Sequence, residues 1–486
     1  MNPGLRTLLL AAACVAIAAC SGPTGTPTPD LDLPVRLEAT PAAPVVLVSV
    51  DTLRADHLGA YGYGPPTSPA IDRFSRTAIV FEQAVAQAPS TLHSHASLLA
   101  SLLPHHHGAS WSRRQPLRAD VPTLAEALAS AGYSTGAFTG GGQVAAEFGL
   151  DRGFDVYRVA DGPDGLVQVV AAAFEWTDAA IEEGRPFFLF LHTYQVHHPY
   201  TPSDEDLSRF DPDYEGPLPD HVSKDLLADI NSGEVEIGPA DLAHVIATYD
   251  AEIRAMDRGF DALLDGLRTR GLLERSLVVL TSDHGEEFGE HGRVGWHSHS
   301  LYDELLLVPL VVKLPGTELA GTRVPSQVRG VDVAPTILGS VGVSVPATFA
   351  GVDLLGGAAV PGFSISRQDT PAGLDRSSVR TPHFKLYPAD LVPAGGPRPT
   401  LLDRAWRKLR PSAPTFVLFD LDANPAETQN VAGSERGVLR ELRTVLDREV
   451  ASQSPPPERP PIVTDHETRE RLEALGYLEN SPGVTP

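Results

Sequence analysis

One short apolar segment constrains the fold of this chain more than any other feature. Residues 44–51, PVVLVSVD, form a nearly continuous run of apolar, mostly β-branched residues that ends in an aspartate. A strand with one solvated face alternates polar and apolar residues, whereas a continuous apolar run is typical of a strand buried on both faces. The segment therefore predicts a parallel sheet that is covered by helices on both sides.

Strand-like runs alternate with helical patterns over most of the chain. Strands are predicted at 186–194 and 276–285, and helices at 123–133, 166–184, 240–271 (one helix or a pair) and 332–343. Such alternation predicts a mostly parallel sheet with helices on both faces, in which ligands bind beyond the carboxyl ends of the strands. The expected fold class is α/β, a large sandwiched sheet followed by a smaller C-terminal α+β subdomain.

Composition divides the chain into six segments. The sequence predicts a lipoprotein signal peptide at 1–20, a flexible tether at 21–43, a catalytic domain at 44–345, a C-terminal subdomain at 346–450, a Pro-rich linker at 451–464, and a terminal helix and tail at 465–486. The terminal helix is expected to pack back onto the protein through Leu472, Leu475 and Tyr477.

The N-terminus has the pattern of an export signal. Arg6 precedes an apolar stretch at 8–19 that is too short to span a bilayer. Residues 17–20, Ile-Ala-Ala-Cys, resemble a bacterial lipobox, in which the cysteine is lipidated; the alternative is an ordinary cleavage site with a chance cysteine. We expect an exported protein anchored to the cell envelope through Cys20. Ser21 in place of an aspartate favours the outer membrane.

Charge and cysteine content exclude several kinds of chemistry. The formal net charge of −24 argues against nucleic acid or an anionic membrane surface as the main partner, although a local cation site can still bind an anionic substrate. The only cysteines are Cys14 and Cys20. A mature chain that begins at Cys20 would have no internal disulfide and no cysteine nucleophile in its folded part.

Acidic residues and a histidine follow two of the predicted strands. Asp51 ends the first strand, and Asp283 and His284 follow the strand at 276–285. Oxygen ligands with one imidazole suit Mn²⁺, Zn²⁺, Ca²⁺ or Mg²⁺. The sequence thus predicts a site for a divalent cation, although Asp51 taken alone could equally cap a helix.

Further histidines occupy two loops. His197 and His198 follow the strand at 186–194, and His297 and His299 lie in the segment GWHSHS. Neutral imidazoles at such positions can bind an oxyanion or protonate a leaving group. The alternatives are a histidine pair on the surface and an ordinary polar loop.

The segment APSTLHSHASLLASLLPHHHG, residues 88–108, carries hydroxyl side chains at Ser90, Thr91 and Ser94, close to its start, and five histidines. Three interpretations are open: a catalytic centre, a metal-binding tract, or a helix with polar ends. We expect a helix from Ser94 onward, with Thr91 either reactive or only its N-cap. His105, His106 and His107 are expected to shape the turn that follows the helix rather than to bind metal.

Seven segments taken together resemble the sulfatase family of the alkaline phosphatase superfamily. They are VVLVSVDTLRADHLGAYGY, the segment from TSPAID to LLPHHHG, FFLFLHTYQVHHPYTP, YDAEIRAMDRGFDALLDGL, VVLTSDHGEEFGEHG, VDVAPTILGSVGV and FVLFDLDANPAETQNVA. The resemblance covers nearly all of residues 44–435. It implies an α/β/α sandwich with a small C-terminal sheet, and a nucleophile beside a metal site that attacks a sulfate or phosphate ester.

The resemblance also implies roles for single residues. Asp51, Asp283 and His284 would be metal ligands. His197 would bind the transferred group or protonate the leaving oxygen. His297 or His299 would lie near the substrate, where many members have a lysine.

The sequence departs from the sulfatase pattern at the nucleophile. Sulfatases have Cys or Ser in C/S-x-P-x-R, and this residue is oxidised to formylglycine; here Thr91, His93 and His95 occupy the positions of the nucleophile, Pro and Arg. Thr52 also replaces the second acid of the usual Asp-Asp pair. No formylglycine is expected, because threonine is not a substrate for that conversion.

Thr91 instead resembles the nucleophile of superfamily members that attack phosphorus with a metal-bound threonine. A hydroxyl bound to a metal has a lowered pKa, and a helix N-terminus behind it favours an anionic ester. The expected function is hydrolysis of a phosphate, phosphonate or sulfate ester with Thr91 as nucleophile and metal ligand. Two alternatives are transfer of a phospho-headgroup to a lipid or glycan, and a non-catalytic lipoprotein that binds glycans. The natural substrate, the metal and the oligomeric state stay open at this point.

Overall fold

The computed structural model describes residues 37–160, 165–369, 376–391, 416–452 and 461–478. The predicted signal peptide with Cys14 and Cys20, most of the tether, and residues 453–460 of the predicted linker lie outside the described residues. Within the described ranges, no helix is long and apolar enough to cross a membrane.

The described strands form two main sheets and one two-stranded ribbon. The strands are β1 Val45–Val50, β2 Ile79–Val85, β3 Ser134–Thr139, β4 Val156–Val159, β5 Phe187–Thr193, β6 Leu277–Ser282, β7 Glu287–Phe288, β8 Val294–Trp296, β9 Leu307–Lys313, β10 Arg323–Arg329, β11 Ser364–Gln368, β12 Arg376–Arg380, β13 Phe384–Pro388 and β14 Phe416–Asp420.

The large sheet has eight strands in the order β10-β2-β9-β6-β1-β5-β3-β4. Its neighbours pair in parallel except at β9, which runs antiparallel to β2 and β6. All six residues of β1 are buried, and successive side chains enter opposite cores, with Val45 and Leu47 on one face and Val46 and Val48 on the other. The expected mostly parallel sheet, buried on both faces, is therefore confirmed.

Helices cover both faces of this sheet. The described helices are α1 Pro69–Ser75, α2 Thr91–Ala100, α3 Pro104–His107, α4 Leu124–Ser130, α5 Leu166–Glu182, α6 Asp204–Leu207, α7 Lys224–Ser232, α8 Pro239–Thr269, α9 Asp303–Leu306, α10 Val333–Ser340, α11 Arg436–Ala451 and α12 His466–Ala474. Apolar side chains of α5 and α8 pack on one face, and those of α2, α4, α10 and α12 contribute to the core on the other. The segment at 240–271, for which one helix or a pair was expected, is one helix of 31 residues.

A smaller antiparallel sheet of four strands, β11-β12-β13-β14, follows the large one. Its core includes Leu442 and Leu446 of α11 together with Leu103 and Val331 from the larger part of the chain. This small sheet confirms the expected C-terminal α+β subdomain. The shared core shows that the two sheets do not pack independently.

A buried ionic cluster also joins the two sheets. Asp303, which begins α9, accepts hydrogen bonds from Arg380 of β12 at 2.9 Å and from Lys385 of β13 at 2.8 Å. Glu427 pairs with the same Lys385 ammonium at 2.9 Å. Burial alone would raise the pKa of Asp303, but Arg380 and Lys385 outweigh burial and hold it well below its usual range.

Replacing Asp303 by alanine should lower the free energy of unfolding by about 3 kcal/mol, because it removes one partner from buried charges that cannot reach water. Equilibrium urea unfolding of wild type and Asp303→Ala measures this difference. Asp261→Ala, which removes an exposed partner of Arg73, is the control and should cost under about 1 kcal/mol. Equal losses in the two variants would show that the buried cluster contributes no more than a surface pair.

Candidate active site

The register of β1 and β6 places two acidic residues side by side. Val50 is aligned with Ser282 across the parallel pair, so Asp51 and Asp283 follow at adjacent strand ends. His284 completes the group: its Nε2 lies 3.4 Å from Asp283 Oδ2 and 4.0 Å from Asp51 Oδ1. All three side chains are buried. The structure thus brings together the three residues that the sequence assigned to a metal site.

The free atoms of this cluster fit a divalent cation. Asp51 Oδ1 and Asp283 Oδ2 are buried and have no hydrogen-bond partner among the described residues. His284 donates its Nδ1–H to the carbonyl oxygen of Gly285 at 2.9 Å, which leaves a lone pair on Nε2. Two unpaired carboxylate oxygens and one imidazole nitrogen, all within 4.8 Å of one another, are ligands that Zn²⁺ and Mn²⁺ accept.

The electrostatics of the cluster also favour a cation. Burial raises the pKa of Asp51 to about 6. Burial and the neighbouring Asp51 carboxylate raise the pKa of Asp283. Burial would lower the pKa of His284, but the attraction of Asp283 and Asp51 outweighs it and raises that pKa. The two buried carboxylates therefore carry more negative charge than the single imidazole can neutralise, and a cation would balance the remainder.

Thr91 lies at this cluster. The helix α2 begins at Thr91 with Ser90 at the N-cap position, so the expectation that the helix starts at Ser94 was wrong by three residues, and Thr91 is not the N-cap. The Thr91 hydroxyl is buried 3.4 Å from Nε2 of His284. The Thr91 hydroxyl and the side chains of Asp51, Asp283 and His284 thus meet beyond the carboxyl edge of the sheet.

His93 and His95 follow Thr91 in the first turns of α2. His95 donates Nδ1–H to the Thr91 carbonyl at 2.9 Å and accepts from the Ser49 hydroxyl on Nε2 at 3.0 Å. Burial lowers the pKa of His95 to about 4, so its ring is neutral near pH 7. His93 lies 3.1 Å from a carboxylate oxygen of Asp369. The two histidines tie the start of α2 to neighbouring parts of the structure, and the neutral ring of His95 does not provide the charge that an arginine would.

A second group of histidines borders the cluster. The rings of His197, His198 and His297 pack together, and the ring centroid of His297 lies 4.7 Å from that of His284. His297 donates Nδ1–H to a carboxylate oxygen of Glu286 at 2.8 Å. Burial lowers the pKa of His197 well below its usual range and that of His297 to about 4. With Nδ1 of His297 and of His197 hydrogen-bonded to acceptor oxygens, the Nε2 atom of each neutral ring is left as a proton acceptor.

The structure does not bring His299 to this group. Its Nε2 lies 2.7 Å from a carboxylate oxygen of Glu287, and its side chain is partly exposed. The residue between the two histidines, Ser298, has a φ of +64°, which turns their side chains apart. Of the two histidines, His297 is the one whose ring lies against the cluster.

The histidines that follow α2 lie away from the cluster. Pro104–His107 form the short helix α3, which ends at Gly108 with a φ of +70°. His105 and His106 lie near Glu449 of α11, and the three could hold a metal ion of their own. His107 is buried against the carbonyl of His93 at 3.2 Å.

Sequence reasoning missed several residues at the site. His192 of β5 lies 3.5 Å from Asp51, and Glu286 lies between His297 and Tyr200. The Tyr477 hydroxyl lies 2.9 Å from that of Thr91, although the sequence indicated only a packing residue. His192 could have been found from its alignment with the end of β1, whereas no local pattern indicates Tyr477.

A cavity of about 370 Å³ opens beside His297. It is lined by the aromatic rings of Trp111, Trp296 and Tyr477 and by the polar side chains of Gln143, Gln368 and Asp369, among others. Cavities of this size hold small ligands. Two residues of its lining, His297 and Tyr477, contact His284 and Thr91 of the cluster.

Comparison with known proteins identifies the family. The sequence profile of the sulfatase family matches residues 44–343. The chain belongs to the sulfatase family. It is therefore a sulfatase-like ester hydrolase of the alkaline phosphatase superfamily, whose members use divalent metal ions.

Individual relatives act on different esters. The chain is 22% identical to an N-acetylglucosamine-6-O-sulfatase of Bacteroides thetaiotaomicron over 89% of this chain and 88% of that protein. It is 28% identical to a multifunctional alkaline phosphatase superfamily protein of Trinickia caryophylli over 52% of each chain. A solved phosphonate monoester hydrolase of Agrobacterium radiobacter shares the fold with a TM-score of 0.64 at 18% identity, covering 85% of this chain and 95% of that one.

Metal binding at the cluster should depend on Asp51 and on pH. Calorimetric titration with Mn²⁺ or Zn²⁺ should show binding by wild type that is weaker at pH 5 than at pH 7.5, because the cation must displace the proton held by Asp51 below a pKa of about 6. Asp51→Asn should weaken binding at least about 10-fold.

The matched control is Asp211→Asn, which removes the partner of His244 outside the cluster and should leave metal binding unchanged. Unchanged affinity in Asp51→Asn would show that the cation binds elsewhere.

Proposed function

We propose that this protein hydrolyses a phosphate or phosphonate ester with Thr91 as the nucleophile, and that Asp51, Thr91, Asp283 and His284 hold one divalent cation. The observation that supports this most directly is the buried Thr91 hydroxyl 3.4 Å from Nε2 of His284, beside two carboxylates with unpaired oxygens. A cation bound there would supply Lewis-acid chemistry, lowering the pKa of the Thr91 hydroxyl and balancing charge on the ester.

The reaction would proceed in two displacements on this chain. Thr91 Oγ attacks phosphorus as its proton passes to a neighbouring imidazole of the site, and the bond to the leaving oxygen breaks with the electron pair on that oxygen. Water then attacks the phosphothreonine and breaks the Oγ–P bond, which regenerates the Thr91 hydroxyl and releases the acid. His197 and His297 would lie beside the transferred group, where an Nε2 that takes up a proton could hold that group or return the proton to the leaving oxygen.

A threonine nucleophile favours an ester of phosphorus over an ester of sulfur. Sulfatases with formylglycine release sulfate from a hydrated aldehyde, and threonine forms no aldehyde by that route. An alkoxide at Thr91 instead forms an ester with the transferred group. When that group is phosphoryl, water can hydrolyse the ester and release the threonine. The sulfated sugars named for one relative and the phosphonate monoesters named for another define the substrates to compare.

We also propose that the protein acts at the bacterial cell envelope. The lipobox-like segment that ends at Cys20 supports anchoring through a lipid at the cell envelope, facing the periplasm or the surface. In bacteria, wild type should enter the membrane fraction and Cys20→Ser the soluble fraction, as seen by immunoblot of each fraction. Identical fractionation of the two would contradict a lipid anchor at Cys20.

Removing the Thr91 hydroxyl should abolish catalysis, while Asp51, Asp283 and His284 stay available to the cation. With Mn²⁺ or Zn²⁺ present, turnover of an aryl phosphate diester, phosphonate ester, phosphate monoester and sulfate ester is compared for wild type and Thr91→Ala. We expect a loss in kcat of at least about 10³-fold for the best phosphorus substrate. Mass spectrometry of quenched wild type should show a phosphoryl or phosphonyl adduct on Thr91.

The control is Thr444→Ala, an exposed threonine of α11, which should keep wild-type turnover. Full activity in Thr91→Ala would mean that another group attacks the ester. Preference for the sulfate ester would reassign the substrate class.

A further inference from the structure

A tyrosine from near the C-terminal end of the described chain lies at the nucleophile. The Tyr477 hydroxyl is 2.9 Å from Thr91 Oγ1 and 3.1 Å from Nε2 of His197. Its ring is 5.9 Å from that of Trp111, centroid to centroid, and forms part of the wall of the cavity beside His297. Tyr477 therefore stands between the proposed nucleophile and a histidine proposed to lie beside the transferred group.

The segment that carries Tyr477 is firmly attached to the large core. Leu472 is fully buried and Leu475 is nearly so, and both pack in the core that contains α2. Arg471 donates to the carbonyl oxygen of Gly140 at 3.0 Å, and Gly476 takes a φ of +84° just before the tyrosine. The tyrosine is thus presented to the site by packed structure and not by an exposed tail.

The directions of the hydrogen bonds follow from the acceptors. His197 Nδ1 lies 2.5 Å from the carbonyl oxygen of His198, so Nδ1 carries the proton of the neutral ring and Nε2 accepts. The Tyr477 O–H must therefore donate to His197 Nε2. Its oxygen is then left to accept the Thr91 O–H at 2.9 Å, a shorter contact than the 3.4 Å between Thr91 Oγ1 and Nε2 of His284.

We propose that Tyr477 is a catalytic residue that links Thr91 to His197 and carries the proton of the nucleophile away during attack. The proposal rests on the proposed function of Thr91. As the Thr91 Oγ–P bond forms, the Thr91 proton moves to the Tyr477 oxygen and the Tyr477 proton moves to His197 Nε2. The electron pair of the breaking P–O bond stays on the leaving oxygen, and the reverse shift returns the proton when water cleaves the phosphothreonine.

Replacing Tyr477 by phenylalanine removes the hydroxyl and keeps the ring. We expect kcat of Tyr477→Phe to fall about 10²-fold with the best phosphorus substrate, with KM changed less than about 3-fold, because the proton path is lost while the cavity wall stays. Tyr214→Phe, which removes a hydroxyl bonded to Asp241 outside the site, should match wild type.

A double-mutant cycle tests the link itself. If Thr91, Tyr477 and His197 act as one chain, the double variant Tyr477→Phe/His197→Gln should lose no more kcat than the worse single variant. Losses that multiply, to about 10⁴-fold if each single variant loses about 10²-fold, would overturn the chain. A kcat of Tyr477→Phe equal to or above that of wild type would overturn the proposal, and an increase would show that Tyr477 obstructs the site.

A spectroscopic measurement separates this proposal from the proposed function. In protein labelled with ¹⁵N-histidine, the His197 Nε2 resonance is assigned by its absence in His197→Gln. In Tyr477→Phe it should move toward the position of an acceptor nitrogen without a hydrogen bond. An unshifted resonance overturns the chain. Full activity of Thr91→Ala overturns the proposed function instead, whereas an inactive Thr91→Ala beside a fully active Tyr477→Phe overturns only the role of Tyr477.

Discussion

Two carboxylates held side by side away from water are the constraint on which the rest of this site depends. The parallel register of β1 and β6 fixes Asp51 next to Asp283, and hydrophobic packing on both faces of the sheet keeps the register from slipping. Buried like charges raise the free energy of the folded state unless a cation or protons balance them. The oriented ring of His284 and the hydroxyl of Thr91 are arranged around that unbalanced charge.

The layered fold and the acidic part of the site could be predicted from the sequence. Continuous apolar runs identify buried strands, and parallel strand ends must meet at one edge, which places Asp51 beside Asp283 and His284 without knowledge of any side-chain contact. The start of α2 was misplaced, because Ser90 provides no side-chain cap and Pro-Ser-Thr has the composition of a loop. The corrected start of α2 matters, because it places Thr91 within the first turn of the helix.

Other features depended on backbone geometry or on distant parts of the chain. A spacing of two residues suggested that His297 and His299 face one side, but the positive φ of Ser298 separates them. Tyr477 reaches Thr91 across 386 positions of sequence, and no periodicity carries information over that distance. The lowered pKa of His95 could not be predicted from its sequence neighbours either. It results from burial, which depends on the folded structure around the ring.

The attachment of Tyr477 has a consequence for biosynthesis. Because synthesis proceeds from the N-terminus, Asp51, Thr91 and Asp283 are all part of the growing chain long before residue 477 has been added. At about 5–20 residues per second, the 386 positions between Thr91 and Tyr477 take roughly 20–80 s to synthesise. During that interval the ribosome-bound chain lacks one of the residues that contact its proposed nucleophile. Premature termination or proteolytic trimming just before Tyr477 would leave nearly the whole fold in place without that contact.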